Sequence, residues 1–267
     1  MARLAIGREL FEPIRELKNF DDYTFTHALN VCVLSSALAR ALRVSDEMVN
    51  TVAMAGLCHD LGKKEVPKEI LNRKGPLEPE SRLLIERHPF FGAQLLLEIP
   101  GVESTYPLLP VVAYQHHMAA NQSGYPRVQD RMPQYSLHFM SLLVAVADVY
   151  DALRTVRPYR SAMTVANAST VLIRDALAGR LQKEYVSSFL LLLNVLAAGR
   201  QVVLSDGRRG TIVEAHTGHP LCPMVGDDQG RVIDLSVPSA PTIWEIEEDG
   251  TPEDQPAQSN GRLASSA

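Results

Sequence analysis

The sequence predicts a mainly α-helical protein that ends in a small β unit. Three observations carry this. From Asp21 to about Ala198 the apolar residues recur at helical spacing. At Gly199 the character changes to short β-branched runs around Gly-containing turns. Beyond Gly250 the chain is polar and rich in Pro, Gly and Ser, a composition that does not bury a core. The expected organisation is a helical lead-in over 1–20, a helical domain over 21–198, a small β domain over 199–249 and a disordered tail over 250–267.

The helical elements follow in order. Asp21 or Asp22 can cap a helix that carries His27 and runs to about Leu42. Ser45, followed by Asp46 and Glu47, opens a second helix with acids in its first turn. Its buried face is Val49, Val52, Ala53, Gly56 and Leu57, and Gly62 is the expected stop. On that reading His59 and Asp60 lie in its last turn. Pro79 suits the first turn of a third helix, and His88-Pro89 should break it, because the residue before proline avoids helical angles. Further helices are expected over Leu108–Met118, Ser136–Thr155, Val165–Ala178 and Lys183–Ala198. The β unit should hold three to five strands, in "RQVVLSDGRRGTIVEAH", "GDDQGRVIDLS" and "PTIWEIEED".

Composition narrows the function. The 267 residues are 46% hydrophobic and 21% charged, with a net charge of -5. No broad basic surface follows, which argues against coating a nucleic-acid polymer and leaves room for a small anionic ligand. Cys32, Cys58 and Cys222 show neither disulfide nor zinc spacing, so a reducing, cytoplasmic setting is expected. "FLLLLNVLAA" at 189–198 is shorter than the roughly 20 residues a membrane span needs and reads as a buried helix.

The chemistry-bearing residues fall at telling places. His27 lies inside one helix, His59 and Asp60 at the end of the next, and His88 at a proline break. His116 and His117 end a further helix, and Asp148 lies on the long one. Such positions can converge on one cavity of a helical bundle. Imidazole and carboxylate without thiolate suit iron, manganese, nickel or zinc rather than calcium. Five or more such ligands exceed what one open catalytic zinc needs, whereas two ions sharing a carboxylate would use them all.

Four segments, "HDLGKKEVPKEILNRKGPL", "RHPFFGAQLL", "HHMAANQSGYP" and "ADVYDALRTVRPYRSA", occur in that order. Together, over roughly Asp21–Ala198, they resemble the HD-GYP domains, the cyclic di-GMP phosphodiesterase branch of the HD metal-dependent phosphohydrolases. The resemblance implies an HD-type helical bundle and a pair of divalent ions, iron or manganese. It implies one ion on His27, His59, Asp60 and Asp148, and a second on Asp60, His88, His116 and His117, with Asp60 bridging. His59 and Asp60 would then adjoin because one binds an ion that the other shares. The implied reaction is hydrolysis of cyclic di-GMP to linear pGpG, with further cleavage to GMP as an extension. Asp60 and Lys63 carry it, Lys63 by neutralising a phosphate oxygen. Lys63, Tyr125, Asp151, Arg157 and Arg160 are the implied substrate-side residues. Asp151, three residues after Asp148, is expected to orient a ligand or Lys63. The "SGYP" loop at 123–126 is implied to contact a GGDEF-type protein partner.

The chain departs from the family pattern at three places. Tyr23 stands where some members carry a Glu that adds a third metal, so two ions are expected. Met118 replaces the usual Glu after the paired histidines, and "NQ" replaces the usual Asp-Gly ahead of the GYP triplet. These changes keep two alternatives open. One is a weakly catalytic module that binds cyclic di-GMP or a signalling partner; the other is an HD phosphohydrolase acting on another nucleotide. His138 is expected to be a packing or surface residue. His216 and His219, near Cys222, are not expected to form a metal site.

Overall fold

The structure, a computed structural model, describes residues 2–121, 123–127, 136–156, 161–216 and 219–247, with side chains from residue 9 onward. The expected tail over 250–267 lies outside the described residues, as do Arg157 and Arg160.

Side-chain caps set several helix starts. Asp21 accepts from Thr24 N at 2.8 Å and Ser45 from Met48 N at 3.3 Å, each satisfying an amide that the first turn leaves without a partner. Helix α1 is Ala2–Phe20, α2 Asp22–Ala41 and α3 Asp46–Cys58. A 3₁₀ segment, Leu61–Glu65, and two short helices, α4 (Lys68–Leu71) and α5 (Pro79–Ile85), lead to α6 (His88–Glu98). Then come α7 (Val102–Thr105), α8 (Leu108–Gln115), α9 (Phe139–Arg154), α10 (Val165–Leu177) and α11 (Lys183–Leu192). Helix α9 is the axis of the body. Leu143, Val144, Val146 and Ala147 are fully buried on it, the pattern of a helix surrounded by others, and α2, α3, α8, α10 and α11 all pack against it.

Two expectations need correction, and a third gains a role. Gly62 is not a helix stop. Helix α3 ends at Cys58, and Gly62 sits in the 3₁₀ segment, where a β-carbon would overlap the His88 carbonyl oxygen and the Gly92 amide. Its role is close backbone approach between two segments. Helix α11 ends at Leu192 rather than near Ala198, because Asn194 takes a left-handed conformation (φ 55°) that terminates the helix. His138, expected to be a packing or surface residue, is half-buried beside the Phe139 ring and has a specific task as well. It is the N-cap of α9, and its Nδ1 accepts from Met140 N at 3.3 Å.

The C-terminal unit is one antiparallel sheet of β1 (Gln201–Leu204), β2 (Arg209–Glu214), β3 (Met224–Asp227), β4 (Val232–Asp234) and β5 (Ile243–Ile246), in the order β4-β3-β2-β1-β5. Val202, Leu204, Ile212, Val225, Ile243 and Ile246 turn inward. Strand β5 docks on α10: Ile246 N donates to Thr170 Oγ1 at 3.1 Å, and the Arg174 guanidinium lies 4.1 Å from the Trp244 ring centroid. The core runs without a break from the helices into the sheet. No helix among the described residues is long and apolar enough to cross a membrane.

Candidate metal centre

Where α3 ends, the backbone of Asp60 takes φ -103° and ψ 8°, the bridge region between helix and strand. This turn aims His59 and Asp60, adjacent in sequence, at the same interior point. Helix α2 brings His27, the start of α6 brings His88, the end of α8 brings His116 and His117, and α9 brings Asp148. His27, His59, Asp60, His88, His116 and Asp148 are all buried, with 5% exposure or less. His117 is partly exposed.

The second nitrogen of each imidazole explains the orientation. His59 Nδ1 donates to Gly56 O at 2.6 Å, His88 Nδ1 to Ile85 O at 2.7 Å and His116 Nδ1 to Ala113 O at 2.8 Å. A carbonyl oxygen can only accept, so the proton must sit on Nδ1 and the Nε2 lone pair points inward. His27 uses Asp151 in place of a carbonyl, donating from Nδ1 to Oδ2 at 2.6 Å. Asp151 is itself held by Asn30 Nδ2 at 2.9 Å and Thr155 Oγ1 at 3.1 Å. Asp151 therefore orients His27 rather than Lys63. Buried, with both oxygens engaged, it does not face the cleft as a substrate contact.

Asp60 straddles two groups of donors. Its Oδ2 lies 3.2 Å from His59 Nε2 and 3.7 Å from His27 Nε2, while its Oδ1 lies 3.2 Å from His88 Nε2 and 3.7 Å from His116 Nε2. Asp148 Oδ1 reaches His27 Nε2 at 2.9 Å, and its Oδ2 lies 3.7 Å from His117 Nδ1. One group is Asp60, His88, His116 and His117; the other is His27, His59 and Asp148.

These residues fit a cation. His59 Nε2 and Asp60 Oδ1 are buried and have no hydrogen-bond partner, an arrangement that costs free energy unless something electrophilic satisfies them. His88 Nε2 and His116 Nε2 face each other at 3.2 Å. With both Nδ1 atoms protonated, two lone pairs meet there. Protonation of His88 does not relieve the clash near neutral pH, because burial pushes its pKa down to about 4, and the attraction of Asp60 only partly offsets this. A shared cation relieves it. Separations of 3–4 Å also suit donors that each approach one ion to about 2.1 Å.

The electrostatics agree. Burial alone would raise the Asp60 pKa, but His59, Lys63 and His116 hold it well below the ordinary carboxylate range. Asp148 is likewise lowered against burial, chiefly by the hydrogen bond with His27. Burial disfavours charge on His27 as well, yet Asp148 and Asp151 outweigh it and raise its pKa to about 9, so a cation taken at Nε2 displaces the proton held there against Asp148. Although its side chain keeps some exposure, desolvation at the cleft floor, with the like effect of His116, holds His117 well below its usual value.

A cleft of about 470 Å³ opens over the centre, lined by His27, Lys63, His88, His117, Tyr125 and Asp148 among others. Lys63 Nζ lies on Asp60 Oδ2. The Tyr125 ring sits 4.6 Å from His117 and 6.1 Å from His88 by centroid, and burial with the charges of Asp148 and Asp60 pushes its hydroxyl up in pKa, so it stays protonated. The loop carrying it folds back on the twin histidines: Tyr125 N donates to His117 O at 3.2 Å and Ala119 N to Ser123 O at 2.8 Å. At Gly124, where φ is 96°, a β-carbon would overlap the His117 carbonyl oxygen. No described residue of the sheet lines this cleft. In the sheet unit, His219 N donates to His216 Nδ1 at 3.2 Å, and the two histidines join no group with metal-ligand spacing among the described residues.

Sequence reasoning missed Asn30, Thr155 and Arg73. Asn30 follows His27 by three residues and Thr155 follows Asp151 by four, so helical spacing was the available signal. Arg73 in the cleft lining had none.

The chain is similar to proteins already known. The HD domain family profile matches residues 13–183. The chain is 34% identical over 209 residues to a protein of Pseudomonas aeruginosa named as a cyclic di-GMP phosphodiesterase, covering 78% of this chain and 49% of that one. It is 31% identical over 191 residues to a Thermotoga maritima protein of the same name, covering 68% and 49%. It is 32% identical over 162 residues to a Vibrio cholerae protein named as a 3'3'-cGAMP-specific phosphodiesterase, covering 61% and 36%. The chain thus spans about half the length, or less, of these relatives.

Proposed function

The chain belongs to the HD domain family, in its HD-GYP branch, and from that premise we propose that it is a two-metal phosphodiesterase hydrolysing cyclic di-GMP to linear pGpG, and on to GMP where the linear product is cut again. The observation that supports this best is the division of Asp60, with one oxygen toward His59 and His27 and the other toward His88 and His116. His27, His59, Asp60 and Asp148 would hold one ion, and Asp60, His88, His116 and His117 the other, iron or manganese in each. Bound there, the ions would supply Lewis-acid polarisation of a phosphoryl oxygen and a water acidic enough to attack at neutral pH.

The chain's own residues do the rest. Asp151 keeps a proton on Nδ1 of His27, so that Nε2 stays available. Lys63, beside Asp60 at the cleft, offsets negative charge that develops on the phosphoryl oxygens. Tyr125 lays its ring beside His117 and His88 and offers a protonated hydroxyl to the substrate. Arg157 and Arg160 enter as substrate contacts through the family resemblance alone, as does a GGDEF-type partner at the exposed Ser123–Gly124 turn.

The test is turnover by anaerobically purified protein loaded with iron or manganese, followed by chromatography. Conversion of cyclic di-GMP to pGpG, abolished by chelation, is expected. Absence of turnover in metal-replete protein would overturn the proposal. The similarity to a 3'3'-cGAMP-specific enzyme places 3'3'-cGAMP in the same assay; faster cleavage of it would reassign the substrate and keep the centre.

A further inference from the structure

From Pro67 to Arg87 no residue is buried, although the segment joins two buried anchors, Val66 and His88. Helices α4 and α5 within it contain no buried residue, and each packs chiefly against the other. A segment with so few apolar contacts belongs to the least firmly held part of a fold. Its half-buried apolar residues nevertheless have one direction. Ile70, Leu71, Leu77 and Ile85 all line the cleft, as do Val149, Ala152 and Leu153 of α9. Arg73 stands among them, with its side chain 42% exposed and its guanidinium 3.4 Å from Glu78. Apart from the histidines of the centre, Arg73 and Lys63 are the basic residues in the described lining, and Lys63 is engaged with Asp60.

A cyclic dinucleotide carries flat bases and two phosphates. While one phosphate sits at the histidines and Asp60, the other needs a cation elsewhere in the cleft. The planar fork of an arginine matches a phosphate better than any other side chain.

We propose that segment 67–87 is a flap that folds over a cyclic dinucleotide, with Arg73 binding the phosphate that does not react. This rests on the phosphodiesterase function proposed above. The contact is present before and during the reaction alike, so its loss raises KM and leaves kcat in place. Glu78 is the resting partner that Arg73 leaves.

The experiment compares two substrates of the metal-loaded full chain: cyclic di-GMP, and bis(p-nitrophenyl) phosphate, a diester with one phosphate only. Arg73→Ala is expected to raise KM for cyclic di-GMP about tenfold or more, the weight of a charge-assisted contact, and to leave bis(p-nitrophenyl) phosphate cleavage unchanged. Arg73→Lys should recover part of the loss, and Glu78→Gln should not raise KM. A KM for cyclic di-GMP within twofold of wild type in Arg73→Ala would overturn the flap assignment alone, as would an equal loss on both substrates. Failure of the wild type on cyclic di-GMP, with the simple diester still cleaved, would take down the substrate assignment and the flap with it.

Discussion

The two walls of the cleft are built by opposite means. On the inner wall, His27, His59, Asp60, His88, His116 and Asp148 are buried and stand on or beside helices that pack against one another. On the outer wall, the segment 67–87 contributes Ile70, Leu71, Arg73, Gly75, Leu77 and Ile85 to the cleft without burying one of them. Donor atoms around a cation must hold their places to fractions of an ångström, which only a packed interior enforces. A wall that admits a substrate the size of a dinucleotide has the reverse need, and low local stability serves it. Burial thus separates the two walls by what each must do, with fixed geometry inside and compliance outside.

The contrast breaks most visibly at Asp60. Asp60→Asn removes the carboxylate that lies between the two groups of donors. Turnover should fall roughly 10³-fold, the loss of several kcal/mol of charge stabilisation, and metal content should fall with it while the far-UV spectrum is kept. Turnover within tenfold of wild type would show that the shared carboxylate is dispensable. A paired truncation tests the contrast in stability directly. Leu143→Ala, fully buried on α9, should cost about 2–5 kcal/mol in denaturant unfolding. Leu77→Ala, in the flap, should cost less than about 1 kcal/mol; similar losses would erase the distinction between the walls.

A smaller effect is expected one layer behind the ligands. Asp151→Asn leaves His27 in place but weakens the partner of its Nδ1. Metal affinity, read by chelator competition, should drop about 10–100-fold, and an unchanged affinity would reduce Asp151 to a packing residue. The smallest effect concerns the helix that presents Asp148. His138→Ala should cost about 1 kcal/mol and His138→Ser should recover most of it, because serine also caps. Burial lowers the His138 pKa below its usual value. The neutral, capping form is therefore favoured by folding. Its stabilisation is complete above about pH 6.5, the unfolded value, and is lost as pH falls through the lower folded value. His138→Ser should remove this acid-side loss; an identical pH profile in the two proteins would count against the cap.

Much of the inner wall was legible in the sequence. Caps such as Asp21 and Ser45 act on amides two or three residues away, so they mark helix starts locally. The His and Asp residues occur in ordered motifs, and the structure brings His27, His59, Asp60, His88, His116, His117 and Asp148 together. What escaped was set by distant partners. Gly62 looked like a helix stop because nothing nearby announces that Gly92 crosses it. The helix end at Asn194 is decided by one left-handed residue that most sequence contexts would not require. Asp151 could have served His27 or Lys63, and only the packing of α9 on α2 chooses. The flap was invisible because its partial burial has no period of its own; it follows the shape of the cleft.

Asn121, which stands where the family usually has an acid, bears on how the turn before Tyr125 keeps its shape. Its Oδ1 accepts from Ser123 N at 3.1 Å and Ser123 Oγ at 2.6 Å, while its Nδ2 donates to Ala178 O at 3.1 Å. A carboxylate has no hydrogen to give at neutral pH. The amide therefore stitches the hairpin to the corner beyond α10, a tie that aspartate at this spot would sever. The swap of acid for amide is a change of fastening, by which the loop beside the twin histidines is secured to a neighbouring corner of the bundle.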